Sequence, residues 1–216
     1  MMLQTDINIS IPKQLLPTLP QARFAGRITV IDSVDQARQA LRALRRAGIV
    51  GFDTETRPSF RRGNPHKVAL MQLSTDDRCF LFRLNKMGLS RALCNFLQDP
   101  SVMKVGLSVH DDFNVMRRSV FELSPQGFVE LQTYVKSFHI SDISLQKIYA
   151  ILFGEYMPKS QRLTNWEADE LTQNQQAYAA MDAWACLRIY KYLKSGNFVP
   201  AESPYLQPIG VADNEN

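Results

Sequence analysis

The stretch GFDTET at residues 51–56 follows an apolar pair and places two acidic residues, separated by one threonine, in a buried-looking strand. Successive side chains of a strand point to opposite faces, so Asp53 and Glu55 share one face and Thr54 lies on the other. Two neighbouring carboxylates repel each other, and burying them costs free energy unless a cation pairs with them. The sequence therefore predicts that this face is open to water or holds a cation.

The pattern around this strand alternates between short β-branched runs and amphipathic segments. Ser33 is a suitable N-cap with Gln36 three residues later, which predicts a capping box and a helix that ends at Gly48. An early hairpin followed by helices predicts an α/β fold with a mixed sheet flanked by helices. Strands are predicted at residues 27–31, 49–54, 67–74, 79–84, 103–107 and 128–131, and helices at 33–48, 90–98, from about 111, from about 144, and at 173–193.

Length and composition are those of one globular domain of ordinary size. The chain has 216 residues, of which 45% are hydrophobic and 21% charged, and its net charge is +4. No apolar run approaches the roughly 18 residues that span a bilayer, and the N-terminus has no secretory pattern, so we expect no membrane partner. The three cysteines are expected to be reduced thiols of a cytoplasmic protein. The positive net charge favours a polyanionic partner.

A second acidic site lies in KVGLSVHDDFNVMRR, residues 104–118. A short strand is predicted to end there, and Asp111 and Asp112 stand at the start of the next helix. Acidic residues in a first helical turn are common for a simpler reason, because the helix dipole favours them. Taken alone, this motif therefore does not distinguish a functional acid from a cap.

A third acidic site lies in YAAMDAWACLRIY, residues 178–190. Tyr178 and Asp182 are four residues apart, so they share one face of a helix. Alanines surround them and allow another backbone to approach closely. Taken alone, the pair is equally typical of core packing next to a surface acid.

Together the three sites supply four carboxylates and one phenol. Converging carboxylates suit hard divalent cations, which prefer oxygen ligands. Four of them can hold two ions about 4 Å apart, an arrangement that serves phosphodiester hydrolysis. Such cations would be the missing charge partners of Asp53 and Glu55.

The motifs FDTET, VGLSVHDDFNVM and YAAMD occur in an order that resembles the DEDD superfamily of 3′–5′ exonucleases, in its tyrosine-bearing DEDDy branch. The stretches at 66–82 and 163–185 extend the resemblance, which covers roughly residues 27–194. It is strongest to the exonuclease domain of the Werner syndrome protein and more distant to ribonuclease D. The resemblance implies a ribonuclease H-like fold, with a mixed, mostly five-stranded sheet between helices.

The resemblance also implies a role for each residue of the acidic set, with two Mg²⁺ or Mn²⁺ ions as cofactors. Asp53 would bridge both ions, and Glu55 and Asp182 would complete the shell of the first. Asp112 would hold the second ion, with Asp111 as the alternative ligand because the two aspartates are adjacent. The hydroxyl of the last motif, on Tyr178, would orient the attacking water beside Glu55.

Contacts with the substrate are expected on both sides of the acidic set. The basic residues at 57–67 and at 159–162 are suited to backbone phosphates, although a solvated basic loop would have the same composition. An apolar or amide side chain of the strand after the first motif is expected to wedge against the terminal base. The expected substrate-binding residues are Thr54, Arg61, Arg62, Leu70, Gln72, Lys159 and Arg162.

The leading hypothesis is a metal-dependent exonuclease that acts on a single strand or on the 3′ end of a duplex, of DNA or RNA. One alternative is a catalytically silent nucleic-acid-binding module of the same fold, which is expected to have lost part of the acidic set. The other is a ribonuclease D-like RNA-trimming enzyme, for which the roughly 20 residues after the last helix leave little room for further helical domains. The chain is divided into an N-terminal arm at 1–24, the exonuclease domain at 25–196 and a tail at 197–216.

Overall fold

The computed structural model describes residues 7–58, 66–117 and 123–207. The strands are β1 (Asn8–Ile9), β2 (Arg27–Ile31), β3 (Ile49–Thr56), β4 (Val68–Ser74), β5 (Arg78–Arg83), β6 (Met103–Gly106), β7 (Phe128–Glu130) and β8 (Leu206–Gln207). The α-helices are α1 (Val34–Ala47), α2 (Leu84–Met87), α3 (Arg91–Leu97), α4 (Val109–Arg117), α5 (Leu131–Tyr134), α6 (Leu145–Phe153) and α7 (Gln173–Lys194). Short 3-10 helices cover Lys13–Thr18, Val135–Phe138 and Pro200–Glu202.

The main sheet has six strands in the order β2-β5-β4-β3-β6-β7. Strands β3, β4 and β5 are antiparallel neighbours, whereas β2 pairs with β5, β3 with β6, and β6 with β7 in parallel. The predicted mixed sheet with flanking helices is therefore confirmed. It has one strand more than the five that the family resemblance implied, because the short strand β7 adds an edge beside β6.

Helices cover both faces of this sheet. On one face α1, α3 and α4 pack their apolar side chains around Phe52 of β3. On the other face Ala179 and Ala180 of α7 pack against Leu70 of β4. Helix α6 and the second half of α7 form a further buried cluster with the N-terminal segment. Because α7 lies directly on β3 and β4, its side chains reach the face of β3 on which the acidic residues were predicted.

The capping box predicted at α1 is wrong. Ser33 is the N-cap, but its side chain makes no capping hydrogen bond, and Gln36 accepts from the backbone N–H of Asp32 instead, at 3.2 Å. A complete box stands at the start of α7. There Gln175 Oε1 accepts from the Thr172 N–H at 3.0 Å, and Thr172 Oγ1 accepts from the Gln175 N–H at 3.2 Å. This box stabilises the first turn of the helix that carries the third acidic motif.

The N-terminal segment is packed into the domain. Ile9 and Ile11 are fully buried and Leu16 nearly so, and the Ile9 N–H donates to the His139 carbonyl at 2.9 Å. The described residues of the predicted N-terminal arm are therefore packed against the domain. Its apolar side chains are spaced irregularly, so no periodic pattern in the sequence indicated that they are buried. The division of the chain into arm, domain and tail stays a prediction.

Cys79 and Cys186 are buried and Cys94 is half-buried, and all three are free thiols, as the sequence predicted. Within the described ranges, no helix combines the length and apolar character that a membrane crossing needs.

Candidate active site

Gly51 allows α7 to approach β3 closely beside the first acidic motif. A Cβ atom on Gly51 would lie 1.8 Å from the carbonyl oxygen of Ala183, a distance that no side chain tolerates. Gly51 is two residues before Asp53 on the same face of β3. Ala183 directly follows Asp182 in α7. The close contact between the two backbones therefore places the carboxylates of the first and third motifs together.

Asp53, Glu55 and Asp182 form the carboxylate triad of the site. Each offers one carboxylate oxygen, and these three oxygens lie within 4.8 Å of one another. All three residues are half-buried. Oxygen ligands at this spacing fit a hard divalent cation, as the sequence analysis predicted.

The electrostatics of the triad also fit a cation. Burial, and then the charge of Asp182, raise the pKa of Asp53 well above its ordinary value. Burial, followed by the charges of Asp53 and Asp182, raises the pKa of Glu55 to about 10. Burial raises the pKa of Asp182 to about 7, although Tyr178 and Lys159 act in the opposite direction. The protein alone therefore does not balance these negative charges, and a divalent ion would supply the charge that is missing.

Asp112 lies beside the triad and is held by Thr54. The Thr54 hydroxyl donates to Asp112 Oδ1 at 2.5 Å. Burial and the charge of Asp53 raise the pKa of Asp112 to about 8, and the hydrogen bond from Thr54 partly offsets them. Asp111 is exposed. The structure thus directs Asp112 toward the site, and the hydroxyl of Thr54 is engaged by this carboxylate.

Glu130 is a residue of the site that the sequence analysis missed. It lies at the end of β7 and accepts from the N–H groups of Ser108 at 3.0 Å and Val109 at 2.8 Å, at the start of α4. Ser108 has a φ of 61°, so the chain turns sharply there before the helix that carries Asp112. Glu130 thereby sets where α4 begins. A signal was present, because a carboxylate at the end of a strand next to β6 is suited to cap the helix after β6.

Tyr178 and Trp166 stand side by side at the edge of the triad. Trp166 is fully buried, and its ring centroid lies 6.1 Å from that of Tyr178. Burial and the charges of Asp182, Glu55 and Asp53 raise the pKa of Tyr178. The phenol therefore stays protonated at neutral pH, with its hydroxyl among the carboxylates.

Two of the predicted basic residues face the triad. Lys159 and Arg162 are exposed, in the segment between α6 and α7. The Lys159 charge counters the rise in the pKa of Asp182, and the Arg162 charge does the same for Glu55. Their positive charges therefore lie near the carboxylates, where the phosphates of a substrate would be attracted.

Two other predicted substrate contacts, Leu70 and Gln72, are not accessible in the structure. Leu70 and Gln72 are fully buried, so neither can wedge against a base in this structure, and that expectation is wrong for both. The reason is that α7 covers this face of β4. Arg61 and Arg62 lie outside the described residues, so their predicted role stays a prediction.

A family model described as "3′-5′ exonuclease" matches residues 28–196 of the chain. An Arabidopsis thaliana protein named "3′-5′ exonuclease" is 31% identical over 201 residues, which cover 81% of this chain and 66% of the relative. The mouse protein named "Bifunctional 3′-5′ exonuclease/ATP-dependent helicase WRN" is 32% identical over 151 residues, 67% of this chain and 11% of the relative. The chain thus spans less than two thirds of the length of these relatives.

The fold is also similar to solved structures. The EXO domain of Nibbler from Aedes aegypti superposes with a TM-score of 0.70 at 23% sequence identity, covering 84% of this chain and 96% of that domain. The similarity therefore extends over most of the chain. At this level of identity it supports the fold.

Proposed function

Because the chain belongs to the 3′–5′ exonuclease domain family, we propose that it removes nucleotides from the 3′ end of nucleic acid by metal-dependent hydrolysis. The observation that carries this proposal is the convergence of three carboxylate oxygens from β3 and α7 within 4.8 Å. Asp112 stands next to them, bonded to Thr54. A catalytically silent binding module would have no need to retain the complete set of acids and the phenol.

We propose Mg²⁺ or Mn²⁺ as the cofactor, with two ions in the site. Asp53, Glu55 and Asp182 would hold one ion, and Asp53 and Asp112 the other. When bound, the ions would lower the pKa of a water molecule and stabilise negative charge on the leaving 3′ oxygen. The raised pKa values of Glu55, at about 10, and of Asp112, at about 8, support this assignment, because burial and the neighbouring carboxylates outweigh the charge of Arg162 at Glu55 and the hydrogen bond from Thr54 at Asp112.

The chain's own residues would position the reactants. Tyr178 stays protonated, so its hydroxyl is available to hold a water molecule in line with the scissile phosphate, beside Glu55. Lys159 and Arg162 would contact phosphates of the bound strand. Thr54 would act indirectly, because its hydroxyl holds Asp112 in place. Glu130 would also act indirectly, because it caps the start of α4, the helix that carries Asp112.

The test is a degradation assay with DNA and RNA oligonucleotides of matched sequence, each labelled at the 5′ end. With Mg²⁺ or Mn²⁺ we expect a ladder that shortens from the 3′ end, and no degradation in excess chelator. Cleavage that continues in chelator would contradict the metal-dependent mechanism. Internal cleavage products without a ladder would contradict the exonuclease. Comparing DNA with RNA decides between a general 3′–5′ exonuclease and an RNA-trimming enzyme.

Two substitutions at neighbouring positions make this test specific. Asp112→Asn removes a charge that faces the site, whereas Asp111→Asn removes the same charge from an exposed position of the same helix. We expect Asp112→Asn, like Asp53→Asn, to lower turnover by orders of magnitude, and Asp111→Asn to behave as wild type. The reverse result would assign the ligand to Asp111.

A further inference from the structure

Gln72 of β4 is a buried polar side chain that the mechanism described above does not use. It is fully buried, and neither its amide nitrogen nor its amide oxygen has a hydrogen-bond partner among the residues that the structure describes. Burying an amide without a partner costs free energy of folding, and nearly all buried polar groups in proteins are hydrogen-bonded. An apolar side chain would bury the same surface without that cost. The stability of the fold therefore does not explain why an amide stands here.

The register of the strands defines the neighbours of Gln72 in the sheet. Asp53 of β3 lies directly opposite on one side and Leu81 of β5 on the other. Leu70 and Ser74 are the nearest residues of β4 on the same face. The two leucines have no polar side-chain atom, and the Ser74 hydroxyl already donates to main-chain carbonyls. Of these four neighbours, only Asp53 carries a charged acceptor.

Helix α7 covers the same face of β4. Ala179 and Ala180 of α7 belong to the buried apolar cluster that also contains Leu70 and Leu81, the two leucine neighbours of Gln72. Alanine side chains have no hydrogen-bonding group, so these residues of the helix give the amide no side-chain partner.

Asp53 is within reach of the Gln72 amide. Side chains directly opposite each other in an antiparallel ladder have Cβ atoms about 4.5–5.5 Å apart, a distance that a glutamine amide can bridge. Carboxylates that bind a metal ion commonly accept a further hydrogen bond, which fixes their orientation toward the ion. Burial and then the charge of Asp182 raise the pKa of Asp53, and only a backbone hydrogen bond of Thr54 acts in the opposite direction. An additional donor would therefore stabilise the ionised carboxylate that a metal ion requires.

We propose that Gln72 is a positioning residue of the metal site, and that its amide N–H donates to the Asp53 carboxylate when a divalent cation is bound. The inference rests on the proposed metal-dependent function and deepens it, because it adds a residue of β4 to a site otherwise built from β3, α4 and α7. The hydrogen bond holds the Asp53 carboxylate in the orientation that binds the ions. Gln72 thus increases the affinity for metal without contacting it.

The experiment measures Mn²⁺ binding to the full chain by calorimetry, with electron paramagnetic resonance of free Mn²⁺ as a second readout. Gln72→Met keeps the length of the side chain, Gln72→Leu keeps its approximate volume, and both remove the amide. Each should weaken Mn²⁺ binding about tenfold, as expected when a metal ligand loses a hydrogen bond from a neighbouring side chain. Without metal, both variants should be at least as stable as wild type, because the amide has no partner there. A purely structural role of Gln72 would not combine lower metal affinity with retained stability.

Gln146→Leu is the matched control. Gln146 is also a buried amide, but it donates to the Met157 carbonyl. Its replacement should lower the stability and leave Mn²⁺ affinity unchanged. Wild-type Mn²⁺ affinity in either Gln72 variant would overturn the inference, since a loss in one variant alone would reflect packing rather than the missing amide. An equal loss of affinity in Gln146→Leu would overturn it as well.

Degradation of an oligonucleotide by wild type with Mn²⁺ separates this inference from the proposed function. An active wild-type enzyme whose Mn²⁺ affinity is unaffected by Gln72→Met and Gln72→Leu would refute the role of Gln72 and leave the exonuclease proposal intact. A wild-type chain that neither binds Mn²⁺ nor degrades the oligonucleotide would contradict the proposed function itself.

Discussion

Gln72 of β4 lies directly opposite Asp53 of β3 in the antiparallel ladder, so the two side chains project from the same face of the sheet. Gln72 is fully buried, and its amide nitrogen and oxygen have no hydrogen-bond partner among the residues that the structure describes. Asp53 carries a raised pKa, caused first by burial. The site therefore contains two adjacent polar side chains whose burial is not fully compensated: the amide of Gln72 and the carboxylate of Asp53.

The unpaired amide predicts an unusual stability effect. Replacing Gln72 by Leu keeps the approximate volume and removes a buried group that lacks a partner, so the free energy of unfolding of the metal-free protein should rise by about 1 kcal/mol. Gln146→Leu is the matched control. It removes a buried amide that donates to the Met157 carbonyl, and it should lower the free energy of unfolding by a similar amount. Urea denaturation measures both, and destabilisation by Gln72→Leu would show that its amide is satisfied.

The hydrogen bond from Thr54 to Asp112 predicts a functional effect of a small change. Thr54→Val keeps the branched shape and removes the donor, so Asp112 should hold its ion less well. A hydrogen bond to a charged group contributes about 1.5–3 kcal/mol, which corresponds to a loss of roughly ten- to a hundredfold in activity at limiting metal. Thr54→Ser keeps the hydroxyl and should retain most activity. The measurement is turnover as a function of metal concentration. Identical metal dependence in Thr54→Val and wild type would show that the Thr54 hydroxyl does not help Asp112 to bind metal.

The position of Tyr178 predicts a separation of turnover from binding. Tyr178→Phe keeps the ring beside Trp166, so the fold should be unaffected. It removes the hydroxyl that we propose to orient the water, a contribution made mainly in the transition state. We expect kcat to fall by at least tenfold with little change in KM, measured by steady-state kinetics on a short single strand. Full turnover in the Phe variant would reduce Tyr178 to a packing residue.

Lys104 predicts a pH effect on stability away from the site. Its ammonium is buried and donates to the Asp99 carbonyl at 2.7 Å. Burial lowers its pKa from 10.5 to about 8. The folded state therefore binds this proton more weakly than the unfolded chain. The contribution of Lys104 to the free energy of unfolding should be constant below about pH 8 and should increase between pH 8 and pH 10.5.

Urea denaturation at pH 7, 8, 9 and 10 checks this expectation for wild type and Lys104→Met. The variant cannot titrate at this position, so the free energy of wild type relative to the variant should rise across the upper part of the range. Comparing the two chains cancels the contribution of other titrating groups. Two parallel stability profiles would show that the pKa of Lys104 is the same in the folded and unfolded states.

Local geometry was sufficient to predict much of this protein from its sequence. Alternation along β3 placed Asp53 and Glu55 on one face, and the helical repeat placed Tyr178 and Asp182 on one face of α7. Both are properties of neighbouring residues in one element, so the sequence contains them directly. The mixed sheet and the convergence of the acidic motifs then followed from the order of the elements together with the family resemblance.

Only the tertiary structure decided which side chains the layers cover and which they leave accessible. Leu70 and Gln72 are buried because α7 crosses β4, and α7 lies about a hundred residues later in the chain, too far for any local pattern to show it. Glu130 reaches α4 across the sheet edge, and Ala22 pairs with the backbone of Tyr156 for the same reason. Contacts between distant segments depend on how the elements pack, and packing is a property of the whole chain.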